Sequence, residues 1–256
     1  MRTPLFSIVT ITYNAADTLA ATLRSVDSQT CTDYEHLIID GASNDSTVAL
    51  ASGHKDIPAN KRRKVFSEPD KGLYDAMNKG LKRACGEYVI FLNAGDSFTA
   101  IDTLARYADA ASPEIDIIYA DTQLVNSRRH IVGSRHLTAP DILTVRSFAK
   151  GMLVCHQAFC MRLSLAPMYD LRYRFSADYD WCLRCMQATS PARCHNLHIT
   201  AIDYLTDGLT DRNHKASLKE RYQIMCRYYG KLPTIARHIG FATRATIRSV
   251  RRKLKV

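Results

Sequence analysis

Glu87-Tyr88-Val89-Ile90-Phe91-Leu92-Asn93-Ala94-Gly95-Asp96 is the stretch on which the fold turns. Five apolar residues stand in a row between Gly86 and the small polar turn Asn93–Gly95, the pattern of a short strand buried on both faces. Strands of that kind belong to parallel sheets covered by helices, and ligands bind such sheets at the carboxyl ends of their strands. Asp96 stands just past that end, behind small residues that let a ligand come close. It is a candidate anchor for a hard cation and its phosphates. A strand ending in a polar turn explains the same residues without any function, so the other strand ends carry the decision.

Upstream, Leu5 to Tyr13 is β-branched and apolar, reads as a first buried strand, and ends in Asn14. A helical pattern follows (Leu19, Leu23, Val26), entered through Asp17 or Thr18 as cap. Tyr34 to Asp40 is the second strand, ending in Asp40-Gly41-Ala42-Ser43-Asn44-Asp45-Ser46-Thr47, with a helix from about Thr47. Lys64 to Ser67 is a third strand. Gly72 to Ala84 is a helix with Leu73, Met77 and Leu81 on one face. Four strand–helix units in succession imply a parallel sheet with right-handed crossovers. Three of these strands end in acids or amides (Asn14, Asp40, Asp96), which gathers polar groups along one edge. Neither G-x-G-x-x-G after the first strand nor G-x-x-x-x-G-K-[ST] occurs, against dinucleotide oxidoreductases and P-loop enzymes.

Downstream the pattern changes. A helix at 102–110 leads to an apolar strand, Ile115–Ala120, and Thr122–Val125 and His130–Leu137 read as antiparallel strands. Pro140 to Val145 reads as a short helix, and Cys155 to Leu163 as a strand opened by His156-Gln157. Ser176 caps a helix running to about Ala188, and Arg193 to Tyr204 is the last strand, followed by a polar loop at Asp207–Thr210. The fold class is therefore α/β, a single domain with a mostly parallel sheet flanked by helices, and a separate tail.

Composition sets the setting. The 256 residues are 46% hydrophobic, enough for a full core, with nowhere a run of 18 apolar residues to span a membrane. The N-terminus enters a strand by Leu5 without the features of a secretory signal. Eight scattered cysteines, often in apolar runs, read as reduced buried thiols of a cytosolic protein. Cys182-x-x-Cys185 has no second ligand pair at zinc-finger spacing and reads as packing. The net charge of +10 is local: residues 212–256 hold 13 Lys or Arg and one acid (Glu220), a net of +12, which leaves −2 for the remainder.

Taken together, Ser7–Asn14, Ile38–Thr47, the run Ser67-Glu68-Pro69-Asp70-Lys71-Gly72-Leu73-Tyr74-Asp75-Ala76-Met77-Asn78-Lys79-Gly80, Phe91–Asp96 and Ala177–Asp180 resemble glycosyltransferase family 2, with the GT-A fold. The likeness covers residues 5 to about 210. The third motif resembles the branch that builds bacterial exopolysaccharide and colanic-acid-like surface glycans. The resemblance implies transfer of a sugar from a nucleotide-diphosphate sugar to an acceptor hydroxyl, with inversion, helped by a divalent cation, Mn²⁺ or Mg²⁺. By the same likeness Asp96 is the metal-binding acid of the family's DxD motif. Asn93 and Gly95 stand where acids are common, so Asn93 is a donor contact rather than a certain metal ligand. Asp40 would accept from an N–H of the base, with Thr12, Tyr13 and Asn14 as the wall of that pocket. Lys71, Asp75 and Asn78 would lie under the donor. Asp178 matches the base position of the E-D motif, Ala177 replacing the usual Glu, with Asp180 as second candidate for the base. His156 is a candidate contact for pyrophosphate, metal or acceptor. A turn or cap role for Asp40 and Asp178, a solvent-facing helix for Lys71, Asp75 and Asn78, and a core role for His156 remain the bland alternatives.

Within 212–256, Leu218, Tyr222, Met225, Cys226 and Tyr229 fall at helical spacing, with Ile235, Ile239 and further apolar residues among bases beyond Gly230–Pro233. Such a basic amphipathic tail reads as a membrane-surface element that would place a cytoplasmic enzyme peripherally at the inner face of the plasma membrane, near a glycan or lipid-linked acceptor; a helix packed on the domain with solvated bases is the bland alternative, chiefly for its first half. Nucleic acid is not the expected partner, since the body is slightly acidic. The expected domains are 1–211, with a donor half to about residue 100 and an acceptor half beyond it, and the tail 212–256. A non-catalytic relative that binds nucleotide-sugar or glycan as a partner subunit is the rival reading, favoured by Asn93, Gly95 and Ala177. A nucleotidyltransferase is a weaker one, lacking its glycine-rich basic loop.

Overall fold

The structure, a computed structural model, describes residues 3–53, 63–206 and 214–240. Strands β1 (Phe6–Thr12), β2 (Tyr34–Asp40), β3 (Lys64–Ser67) and β4 (Tyr88–Phe91) alternate with helices α1 (Ala16–Asp27), α2 (Thr47–Ser52) and α3 (Leu73–Arg83). All four strands are parallel, in the order β3-β2-β1-β4. Beyond β4 follow β5 (Ser97–Phe98), α4 (Thr103–Ala110), β6 (Ile117–Val125), β7 (Ile131–Ser134), β8 (Phe159–Arg162), α5 (Ala177–Gln187), β9 (Cys194–Leu205) and α6 (His214–Tyr229). The sheet continues as β4-β8-β6-β9-β5, with β7 on β6. In this second part the pairings of β8, β5 and β7 are antiparallel and β6–β9 is parallel, so the sheet as a whole is mixed.

The side-chain period of two in a strand explains how one sheet serves two cores. Val9, Ile11, Leu37, Ile39, Val89 and Phe91 point to the face covered by α3, α5 and α6. Phe6, Ile8, Tyr88, Ile90 and Leu92 point to the other face, with Leu104 and Tyr107 of α4. Burial of β1, β2 and β4 is complete along their whole length.

Several expectations change. Ile115–Ala120 and Thr122–Val125 are one strand, β6, because β9 pairs along its whole length across two register shifts. Pro140–Val145 is not helical; a 3₁₀ turn follows at Ser147–Lys150. His156–Ala158 is a 3₁₀ turn and the strand begins only at Phe159. Helix α1 is not capped by Asp17 or Thr18. The Ala15 and Ala16 N–H groups donate to Thr47 Oγ1 and Asp45 Oδ2 of the loop after β2. In α6 Met225 of the expected face is buried, with Ile224 beside it and Tyr229 packed against the same core, while Leu218 is exposed. These residues join the core under α5, so α6 packs on the domain. Cys182 and Cys185 are free and buried in that core. Among the described residues no helix is long and apolar enough to cross a membrane.

Candidate active site

Strand register builds the first part of the site. Thr12, Asp40 and Ser67 are cross-strand partners at the carboxyl ends of β1, β2 and β3, so their side chains share one row. Asp40 accepts from Thr12 Oγ1 (2.8 Å), Ser67 Oγ (2.7 Å), Ser43 N (2.9 Å) and Ser43 Oγ (2.5 Å). Burial would raise its carboxyl, but these donors outweigh it and hold the group below its usual range. The turns after β1 and β2 are clamped together. Asn14, at φ +46°, accepts from Asn44 N through Oδ1 and donates its own N–H to Ser43 Oγ. Tyr13 is left 67% exposed at the rim, beside Gly41, where a Cβ would come within 2.5 Å of Asp70 Oδ2. Asp70 in turn caps the Gly72 N–H. This is a pre-formed polar rim with an exposed aromatic ring, fit for the edge and face of a base.

The second part lies past β4. The Asn93–Asp96 turn is held from α1 by Thr22, whose hydroxyl donates to Asp96 O (2.7 Å) and accepts from Gly95 N (2.9 Å). Asp96 is buried. Its Oδ1 accepts from Leu205 N (2.9 Å) and its Oδ2 from Gln157 Nε2 (2.8 Å). Burial pushes the carboxyl up to about 7, against the pull of those two bonds and of nearby Arg129. Arg129, from the β6–β7 turn, donates to Gly95 O and Ser97 Oγ.

The third part opens α5. Asp178 Oδ1 accepts from Tyr74 Oη (3.1 Å) and from Tyr179 N (2.9 Å), and its Oδ2 lies 3.8 Å from His156 Nδ1. Burial lowers the His156 imidazole, with Arg135 adding and Asp178 opposing, so the ring is neutral near pH 7. The adjacent pair His156-Gln157 therefore touches both carboxylates: His156 lies against Asp178 and Gln157 binds Asp96. One turn thus links Asp96, past β4, with Asp178, at the start of α5.

Not every expected residue faces this site. Asn78 is buried and uses its amide on both backbone groups of Tyr169 (2.6 and 3.0 Å), a clamp between α3 and the loop before α5 rather than a donor contact. Asp180 is fully buried and bonds Arg184 (2.7 Å) and Tyr228 (3.2 Å), because two residues on from Asp178 a helix turns its side chain away. It cannot stand in as base. Asp75 and Lys71 lie at the N-terminus of α3, where Asp75 Oδ2 accepts from Lys71 N (3.0 Å) and Lys71 is exposed. Gln157, Tyr74 and Arg129 join these groups without having been expected: Gln157 and Tyr74 lie within the His156-Gln157 and Ser67–Gly80 stretches, whereas Arg129 has no mark in the sequence.

A divalent cation fits this site only in a sparse form. Among the described residues no three His, Cys, Asp or Glu side chains converge to cage an ion. What the turn does offer is one carboxylate, destabilised as an anion by burial, and an Asn93 Oδ1 that is buried without a hydrogen-bond partner. Two hard oxygen donors suit a cation whose other positions are filled by diphosphate and water.

Residues 7–165 match the model of glycosyl transferase family 2. The chain is 34% identical over 210 residues to the PGL/p-HBAD biosynthesis glycosyltransferase of Mycobacterium bovis (strain BCG / Pasteur 1173P2), across 80% of this chain and 78% of that protein. Among solved structures it is similar to S. aureus TarS 1–349 in complex with UDP-GlcNAc, with a TM-score of 0.67 at 18% identity over 87% of this chain and 65% of that one. It is also similar to the mannosyltransferase PcManGT of Pyrobaculum calidifontis in complex with GDP-Man and Mn²⁺, with a TM-score of 0.64 at 14% identity over 99% and 81%.

Proposed function

The chain belongs to glycosyl transferase family 2, and on that premise we propose that it transfers a sugar, with inversion, from a nucleotide-diphosphate sugar to a hydroxyl of a glycan or lipid-linked acceptor in surface-polysaccharide synthesis. One observation supports this reading: in the His156-Gln157 turn Gln157 bonds Asp96 (2.8 Å) and His156 lies 3.8 Å from Asp178, as two acids serving one site would require. Thr12, Tyr13, Asn14 and Asp40 would form the base pocket, with Asp40 accepting from a base N–H through a remaining lone pair. Lys71, Asp75 and Asn93 would border the rest of the donor. A cation, Mn²⁺ or Mg²⁺, held by Asp96 and the donor's own phosphates would stabilise charge on the leaving diphosphate. Asp178 would accept the proton of the acceptor hydroxyl while its oxygen bonds to the anomeric carbon and the bond to diphosphate breaks. Support for a nucleotide-sugar donor comes from the UDP-GlcNAc and GDP-Man bound by the similar folds. The enzyme would work from the inner membrane face, through residues beyond α6.

Titration calorimetry with UDP, GDP and dTDP, each with and without Mn²⁺ or Mg²⁺, tests the donor site. One nucleotide should bind selectively, and Asp96→Ala or removal of metal should weaken it by roughly 10²-fold. Asp178→Asn should keep that binding and lose turnover. If no diphosphate binds with metal present, the donor-site reading fails and the non-catalytic glycan-binding subunit takes its place.

A further inference from the structure

Tyr74 on α3 and Asp178 at the start of α5 are 104 residues apart, yet the phenol donates to Asp178 Oδ1 at 3.1 Å. It is the one side chain hydrogen-bonded to Asp178 among the described residues. With the Tyr179 N–H on the same oxygen, Oδ1 is held twice. Among the described residues Oδ2 has no hydrogen bond, and His156 Nδ1 lies 3.8 Å from it, beyond hydrogen-bonding distance. A carboxylate that takes a proton needs one oxygen free and a fixed rotamer, and this arrangement supplies both.

The phenol is itself immobilised. The Tyr74 ring stacks on Tyr169 (centroids 5.5 Å apart, planes 20° apart), which stacks on Trp181 (5.1 Å, 7°). Trp181 follows Asp178 by three residues, hence on the same face of α5. The stack sets the spacing of α3 and α5, and the hydroxyl at its end meets the carboxylate. Burial, and then the Asp178 charge, raise the Tyr74 phenol well above 10, so it remains a donor. The other groups around Asp178 do not compete. Burial keeps the Cys155 and Cys182 thiols and the Tyr169 phenol protonated, His156 is neutral, and Arg135 donates to Met152 O.

We propose that Tyr74 is a positioning residue for the transfer reaction: its hydroxyl fixes Asp178 so that Oδ2 faces the acceptor hydroxyl. The inference rests on Asp178 as base. In the step it serves, the acceptor oxygen bonds to the anomeric carbon, its proton goes to Oδ2, and the electron pair of the broken carbon–oxygen bond leaves on the diphosphate.

Tyr74→Phe keeps the ring stack and removes only the hydroxyl. With UDP-GlcNAc or GDP-Man as donor and water as acceptor, kcat for diphosphate release should fall roughly tenfold with donor KM within about twofold. The melting temperature should hold. A crystal structure of the variant, which decides independently of turnover, should show the Asp178 carboxylate in more than one rotamer. A merely structural tyrosine would lower the melting temperature and move KM with kcat. Unchanged kcat, or an Asp178 rotamer that stays single, overturns the inference. Asp178→Asn separates the two levels. If it remains active, the base reading fails; if it is inactive while Tyr74→Phe is fully active, only the positioning role fails.

Discussion

Asp116 is 2% exposed and accepts from Arg162 Nε (3.0 Å), Arg193 Nε (2.6 Å) and Nη2 (2.8 Å), and Thr189 Oγ1 (2.6 Å). The Arg193 bonds lead in holding its carboxyl down at about 2. Its folded pKa lies below the unfolded value of about 3.9, so the stabilisation is fully present above that value and is lost as pH falls towards the folded one. The loss amounts to about 2 kcal/mol between about pH 4 and pH 2. Asp116→Asn should therefore lower the urea midpoint at neutral pH and flatten the fall of the midpoint on acidification. A variant as stable as the parent at neutral pH would refute this. A carboxylate at a strand end is visible in a linear sequence, which is why Asp40 and Asp96 could be singled out, while Asp178, at the start of α5, stood out only through its motif. Whether a polar side chain is free is not visible there. Asn78 and Asp180 are satisfied by partners 91 and 48 residues away. Gln157 gains its meaning from Asp96, 61 residues earlier.

Helix α3 crosses β1 at Gly80, where a Cβ would come within 2.4 Å of Val9 Cγ1. In an exposed helix, Gly→Ala stabilises by about 1 kcal/mol. Here the sign should reverse, because Val9 is fully buried and α3 would be pushed off the sheet at a cost of about 1–3 kcal/mol. Gly80→Ala should thus unfold at lower urea than the parent, and a variant of equal or greater stability would show that α3 has room to shift. The strands and helices of the first half were legible to within about a residue, since apolar runs and their turns alternate there in sequence as they do in space. After β5 the agreement loosens for a physical reason. Strand β8 lies between β4 and β6, and β9 pairs with both β6 and β5, so burial is imposed by strands far away in sequence. Asp121, which fell between the two expected strands, is carried through by β9.

At the scale of the whole molecule, the basic tail divides. Helix α6 is tied to the domain by Glu220, whose carboxylate accepts from Arg174, Phe175 and Ser176 N–H, and by Tyr229 Oη on Val145 O (2.6 Å). Its charges are those of a packed helix. The helical residues 231–240 differ. Leu232, Ile235 and Ile239 are 80%, 37% and 61% exposed at i, i+3 and i+7, an apolar stripe that is partly covered at Ile235 and open at both ends. Residues 241–256, outside the described range, add six Lys or Arg and no acid. Near an anionic surface each base contributes about 1 kcal/mol, so six could contribute about 6 kcal/mol at low salt, supplemented by burial of the stripe. The full chain should therefore co-sediment with phosphatidylcholine vesicles that contain phosphatidylglycerol and stay in solution with phosphatidylcholine alone. Binding should fade at high salt, where screening shortens the reach of the charges. The paired change Leu232→Glu and Ile239→Glu should weaken it without lowering the melting temperature, since both side chains are exposed. Failure to bind anionic vesicles at low salt would remove the membrane from the proposed partners. Binding that survives the paired change would leave the charge of 241–256 as its sole source.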